Sequence, residues 1–434
     1  MSGKRQILAG VSSRPFTLLR RVLLRFAVVY LTLFCAATQI SGSVTANPWF
    51  TFRGLGRLWP LREVTHWIGR TVFGIDVRLD DVSGGETLFF WVQWFSIVTA
   101  SVVVTVLWTL FDRRREEGSW SPIWRVAVRV LLAGSLIEYG MTKVIPTQFP
   151  APPLTALVTP VGEMTLSALL WTTIGSSPAY QIFSGVLEVL AGALVLIPRT
   201  VTLGALLAVV ALTQVLALNM AFDIGVKLVT MHLVALAVIL LAPAARNLAR
   251  AFGLVEAGSR MNPNAPAIRL KADSTMALLT IALGVYLIGV QAWINWSFWQ
   301  VGGGGRPQSV LYGVWSVEQL SVDGEARPAE LNDYDRRWRR VIFDEPDVLV
   351  IQRTDDSFAR YGASIDPSSG SIALRKGDGR TWASRLTYDR SGDDRITLTG
   401  EIDGHRIEAS LQRVDSSAFP LLNSGFRWVR PHDP

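Results

Sequence analysis

Seven polar residues stand in or beside the most apolar stretches of this 434-residue chain. They are Arg129 and Lys143 in RVLLAGSLIEYGMTK, Glu188 in GVLEVLAGALVL, and Asn219, Asp223, Lys227 and His232 in NMAFDIGVKLVTMH. Ionisable groups in hydrocarbon are costly, so they face a cavity or a partner. A carboxylate and an imidazole can exchange a proton, which makes Glu188 and His232 the candidate catalytic pair. Arg129, Lys143, Asn219, Asp223 and Lys227 are candidate ligand-binding residues around them. Each also has a structural reading. Asp223 can cap a helix beginning at Ile224, and Lys143 and Lys227 can snorkel to an interface. Asn219 can bridge two helices, and Arg129 can serve topology or a structural ion pair. Glu138 lies half a turn from Arg129 and has no assigned role.

These residues need helices that cross a membrane. The chain is 50% hydrophobic and 18% charged, against roughly 25% charged in soluble domains. Runs of about 18 or more apolar residues mark spans. Seven are present, at Val22–Ile40, Leu88–Phe111, Ile123–Ile145, Ala179–Ile197, Val201–Met220, Ile224–Ala242 and Thr275–Phe298. With a cytoplasmic N-terminus, the inner segments hold 16 basic residues and the outer loops before the last span hold six. The positive-inside rule therefore puts the C-terminus outside. The first run exceeds a signal-peptide core of about 7–15 residues, so it reads as an uncleaved anchor. At 1.5 Å per residue Glu188 and His232 lie at similar depth, about 14 Å from one end of the bundle, with Lys143 near the rim.

The connecting segments have their own character. Pro60 opens a helix with Leu61, Val64, Trp67, Ile68 and Val72 on one face, which suits either the membrane interface or the outer end of the bundle. Residues 147–180, rich in proline at the start, read as a loop and short helix folded over the outer mouth. Gly302–Gly305 reads as a flexible linker within 300–310. Beyond it, strands are expected at Tyr312–Val322, Trp338–Phe343, Val348–Thr354, Phe358–Ile365, Ser371–Lys376, Thr381–Tyr388, Arg395–Ile402 and His405–Val414. Turn signals separate them, which suggests a small eight-stranded up-and-down barrel. This part carries 18 basic and 21 acidic residues. RRWRR at 336–340 reads as a solvated strand face rather than a lipid contact, because alternation splits its arginines between two faces. The fold class is thus a polytopic α-helical membrane bundle, residues 1–299, followed by an all-β extracytoplasmic domain, residues 311–434.

The helices over about 123–251 resemble the four-helix core of the DoxX family of bacterial membrane proteins. The likeness rests on Arg129, on Gly140-Met141-Thr142-Lys143, on GVLEVLAGALVLIPRTVTLGAL with Glu188, Gly192 and Arg199, and on Asn219, Asp223, Lys227 and His232. YGMTKVIPTQFPAPPL, LLWTTIGSSPAY and the closing SGFRWV look like a long subgroup of that family. The core is also distantly similar to vitamin K-dependent carboxylase-like membrane domains. The resemblance implies a location in the bacterial cytoplasmic membrane and a quinone handled within the bundle, since some DoxX members are quinone-linked oxidoreductase subunits.

The leading expectation is a quinone-binding subunit of a membrane oxidoreductase assembly, with an outward-open polar pocket. The only cysteine, Cys35, lies in the first run, and CxxC, CxxCH and helix-opening GxGxxG motifs are absent. No covalently bound cofactor is expected; electrons would come from a substrate or a redox partner protein. The alternatives are a non-enzymatic scaffold or lipid-binding protein, and a proton-coupled carrier. Membrane lipid is an expected partner. Nucleic acid is not, because topology accounts for the +7 net charge.

Overall fold

The computed structural model describes residues 13–50, 52–77, 79, 86–112, 122–251, 253, 274–329, 337–376, 383–423 and 428–429. Of the sequence expectations, Arg336, Thr381, Ser424–Arg427 and several topology-setting basic residues (Lys4, Arg5, Arg78, Arg113–Arg115, Arg260, Arg269 and Lys271) lie outside them. The chain forms two compact units. One comprises residues 1–145 and 182–296, the other residues 146–181 and 297–434.

All seven apolar runs become helices. In chain order the helices are α1 (Ser13–Ala37), α2 (Gln39–Val44), α3 (Leu61–Val72), α4 (Leu88–Phe111) and α5 (Pro122–Val144). They continue as α6 (Leu166–Gly175), α7 (Pro178–Leu196), α8 (Val201–Ala221), α9 (Lys227–Leu241), α10 (Ala245–Ala251) and α11 (Ser274–Gly302). Five stretches are long and apolar enough to cross a membrane: α4, α7, α8, Lys227–Ala251 and Ala277–Gly302. The other two long helices, α1 and α5, carry more charge: Arg20, Arg21 and Arg25 in one, Arg125, Arg129, Glu138 and Lys143 in the other.

The helical core is built from close approaches. A Cβ on Gly185 of α7 would lie 2.5 Å from the carbonyl oxygen of Gly140 on α5, and one on Gly192 would lie 3.0 Å from that of Ala133. Only glycine lets the two backbones meet so closely. Leu132, Ala133, Leu136 and Ile137 of α5 are buried there with Ala191 and Val195 of α7. Midway along α1, Arg25 pairs with Asp112 at 3.1 Å and lies over the Trp108 ring.

The second unit is a closed antiparallel barrel. Its strands are β1 (Gly313–Val322), β2 (Glu325–Ala326), β3 (Trp338–Phe343), β4 (Val348–Arg353), β5 (Phe358–Asp366), β6 (Ser371–Arg375), β7 (Ala383–Arg390), β8 (Arg395–Ile402) and β9 (His405–Arg413). Each long strand pairs with the next, β1 pairs with β9, and the two-residue β2 only folds back on β1. Eight long strands thus close the barrel, as alternation and turn signals suggested. Asp403-Gly404, with φ of 52° and 81°, makes the tight β8–β9 turn, the backbone that two-residue hairpins require.

An eight-stranded barrel is just wide enough for side chains to fill. Trp315, Phe343, Leu349, Tyr361, Leu386, Leu398 and Leu411 fill this one. The outer face of β1, β3 and β4 is apolar too, and the segment between α5 and α7 covers it. Leu154, Leu157 and Val158 pack on Val314, Ile342 and Val350. Gln352 donates to the Val158 carbonyl at 3.1 Å. Residues 146–181 are therefore part of the barrel unit, which moves the domain boundary expected at 299.

Two other expectations change. Gly302–Gly305 is a bonded turn rather than a loose spacer. The Gly303 and Gly305 amides both donate to the Trp299 carbonyl at 3.1 Å, and the indole lies against them, so a Cβ on Gly305 would sit 2.4 Å from its ring. Among the described residues of the RRWRR run, Arg339 is exposed as expected but Arg337 is not. Arg337 is buried and donates to the Val317 carbonyl, Arg339 pairs with Asp356 at 2.6 Å, and Arg340 donates to Gln352.

Candidate functional site

The seven expected residues do not converge on one site, and Glu188 and His232 have different partners. Lys143 does not snorkel outward. A helical Cα–Cβ bond tilts toward the N-terminus, so its side chain runs back along α5. The ammonium donates to the Tyr139 carbonyl at 3.2 Å and pairs with Glu188 at 2.8 Å. Both side chains are buried, and Oε1 of Glu188 has no hydrogen-bond partner among the described residues.

Arg129 closes the C-terminus of α7, donating from Nε to the Val195 carbonyl at 3.1 Å and from Nη2 to that of Leu196 at 2.7 Å. Four carbonyls at a helix end lack intrahelical donors, and a buried guanidinium can satisfy two at once. Asn219 of α8 donates to Thr230 of α9 at 3.0 Å. Asp223 sits in the α8–α9 turn with φ of 53° and pairs with Lys227 at 2.6 Å. That bond holds its carboxyl below the usual carboxylate range.

The helix expected to start at Ile224 under an Asp223 cap instead starts at Lys227 and is capped from elsewhere. Glu86 accepts from the Leu228 amide at 2.8 Å and the Val229 amide at 2.9 Å, and its own amide donates to the Gly225 carbonyl. Burial raises its pKa even though the amide bonds act the other way.

His232 lies in an aromatic cluster. Its Nδ1 is 2.6 Å from the Leu228 carbonyl, an acceptor only, so Nδ1 carries the proton. Nε2 then accepts from the Tyr30 hydroxyl at 2.5 Å, and that hydroxyl accepts from the Trp94 indole at 2.7 Å. The imidazole stacks on Phe34, with centroids 3.5 Å apart.

Trp94, at the start of this chain of bonds, lines a narrow cleft with a cavity volume of about 30 Å³. Phe34, Phe90 and Trp94 give it aromatic walls; Gln39, Arg53, Arg57, Glu86 and Gln93 give it polar ones. Arg57 lies over the Phe90 ring at 5.1 Å. Gln93, buried in α4, donates to the Gly56 carbonyl at 2.9 Å. Gly56 must be glycine, because a Cβ would lie 2.8 Å from the Ala37 carbonyl oxygen as well as against the Gln93 amide. Gln39 donates to the Tyr139 hydroxyl, whereas Lys143 meets Tyr139 at its backbone carbonyl, so the ring separates the Lys143–Glu188 pair from the cleft's hydrogen bonds.

The sequence reading missed the cleft residues. Arg53 and Arg57 registered there only as outer-loop charges. Gln93, an amide inside LFFWVQWF, was the visible signal. Glu86 gave none, because it caps a helix 142 residues away. Among the described residues, no group of three or more His, Cys, Asp or Glu is placed to hold a metal ion.

These units define a protein with membrane-spanning-type helices, a polar cleft among them, and a closed antiparallel barrel. No family model matches the chain, and no solved structure does. Over 116 residues it is 36% identical to the uncharacterized protein YwoB of Bacillus subtilis (strain 168), which covers 26% of this chain and 71% of that protein. The chain belongs to the family of YwoB.

Proposed function

We propose that the helical unit is a DoxX-like, quinone-binding membrane module and that the cleft takes the quinone head group. The observation that carries this reading is the Trp94–Tyr30–His232 chain of hydrogen bonds beside an aromatic cleft with amide and guanidinium donors. A quinone supplies two-electron, two-proton chemistry when bound. Gln93, Arg53 and Arg57 offer N–H groups to a carbonyl oxygen, and Phe90 and Trp94 offer ring faces to a planar head. Tyr30 and His232 are the adjacent groups able to pass a proton, with Nε2 of His232 as the receiving atom. Glu188, paired with Lys143, takes no part in this chain of bonds. Electrons come from a substrate or a redox partner protein. We place the chain in the cytoplasmic membrane of a bacterium with its N-terminus inside and the barrel outside, on the distribution of Lys and Arg.

The test is the quinone content of protein purified in mild detergent, with Gln93→Leu and His232→Ala variants. Wild type should retain quinone near one per chain and folded variants should lose it. No enrichment over an unrelated membrane protein purified alongside would refute the proposal.

A second reading, a non-enzymatic scaffold or lipid-binding protein, draws on Arg129, Asn219 and Lys143, whose polar groups all bond within the helices. The carrier reading has only the unpartnered oxygen of Glu188 in its favour.

A further inference from the structure

Helix α3 turns its apolar stripe away from the protein. Thr65 and Gly69 are its buried residues, and a Cβ on Gly69 would lie 2.8 Å from Val77. Leu61, Val64, Trp67 and Val72 are exposed, Trp67 by 63%. The stretch before the helix adds Trp49, Phe50, Leu58 and Trp59, also exposed. In water such a patch would be a liability for aggregation.

Two observations indicate what covers it. Phe73, just past α3, packs edge-on against Phe95 of α4 with centroids 5.1 Å apart. Phe95 belongs to the exposed side of α4, with Trp91, Val102 and Val106, and α4 is apolar enough to span a membrane. The patch therefore continues a surface that faces acyl chains. The charges of α3 are paired: Arg62 with Glu63 at 3.0 Å and Arg70 with Asp76 at 2.9 Å. Tryptophan mixed with aliphatic and paired polar side chains suits the head-group layer, where one side of a helix is wet.

We infer that α3 and the aromatic stretch before it lie in the lipid interface, and that the occupant of this face is the bilayer. Arg53 and Arg57 of the cleft alternate in sequence with the exposed Phe50, Leu55 and Leu58. The rim of the cleft thus stands at head-group depth, and its ligand arrives from the membrane. That last step alone rests on the proposed cleft function.

The test is spin-label accessibility in the full chain, reconstituted in phosphatidylcholine–phosphatidylglycerol vesicles. Cys35 is the sole cysteine and is buried, so labels go on Trp67→Cys and Val64→Cys in a Cys35→Ser background. References are Val103→Cys on α4 and Asp389→Cys on the barrel, both exposed. At 64 and 67, membrane-soluble oxygen should relax the label more than a water-soluble nickel chelate, as at 103. A nickel-dominated response like that at 389 would put the face in water and overturn the inference. Protection from both agents would mean a protein partner or second copy covers it, and would overturn the inference equally. Quinone content is read separately, so failure of the cleft proposal leaves this result standing.

Discussion

The ammonium of Lys143 lies beside Glu188 because a lysine near the end of α5 reaches back along its own helix. Removing one member of a buried ion pair strands the other charge, at a cost of about 3–5 kcal/mol, whereas replacing both with apolar residues is often nearly neutral. Glu188→Gln or Lys143→Met should each destabilise the helical unit by that order. The double variant Lys143→Met, Glu188→Leu should recover most of the loss. Denaturant unfolding in detergent, followed by tryptophan fluorescence, measures all three as a cycle. Losses that simply add would mean the pair does not couple. Tyr30→Phe removes the hydroxyl between Trp94 and His232 while keeping the ring beside Phe26 and Phe34. It should fold normally and lose most bound quinone; unchanged retention would exclude the hydroxyl from the site. At this scale the sequence showed which residues were out of place in hydrocarbon but not which would meet. Equal depth suggested Glu188 and His232 as a pair. Side-chain direction and the Gly140–Gly185 contact gave Glu188 to Lys143 instead.

Helices and strands depend on contacts of both ranges. Gly185→Ala would press a methyl against the Gly140 carbonyl, and overpacking of this kind costs about 1–3 kcal/mol. It should lower the melting temperature of the helical unit, while Gly289→Ala, with open space around its Cβ position, should not. The cap on α9 gives a signed pH prediction. Glu86 has a folded-state pKa raised by burial. Its contribution to stability is therefore full below the unfolded carboxylate pKa, about 4.3, and fades as pH rises through the raised value. Amide exchange at Leu228 and Val229, corrected for its intrinsic pH dependence, should slow on acidification from neutrality. Glu86→Ala should abolish that change. Faster exchange in acid would reverse the sign and refute the assignment. Hydropathy made the seven long helices legible, and alternation with turn residues did the same for the eight strands. The α9 start was misplaced because Asp223, a good local cap, lost to a carboxylate from a distant segment.

The barrel unit gathers two distant stretches of chain at one side chain. Asp344, at the end of β3, pairs with Arg306 at 2.7 Å and accepts from the Leu154 amide at 2.9 Å. The first stretch follows the glycine turn after α11; the second leads from α5 toward α7. Asp344→Ala should speed amide exchange both at Leu154–Val158 and around Gly303–Arg306, and Asp389→Ala should do neither. Protection lost in only one stretch would show that the two are held independently. This arrangement was illegible in the sequence. Residues 146–160 have no periodicity of their own, and their apolar partners on β1, β3 and β4 lie far along the chain.

The central claim is that the cleft holds a quinone, and a photoreactive quinone analogue mapped by peptide mass spectrometry tests it most directly. The account predicts labelling on peptides carrying Phe34, Phe90 or Trp94, suppressed by excess unlabelled quinone and lost in Gln93→Leu. Labelling that excess quinone does not suppress, or that falls only on the exposed faces of α4 and α11, would contradict it.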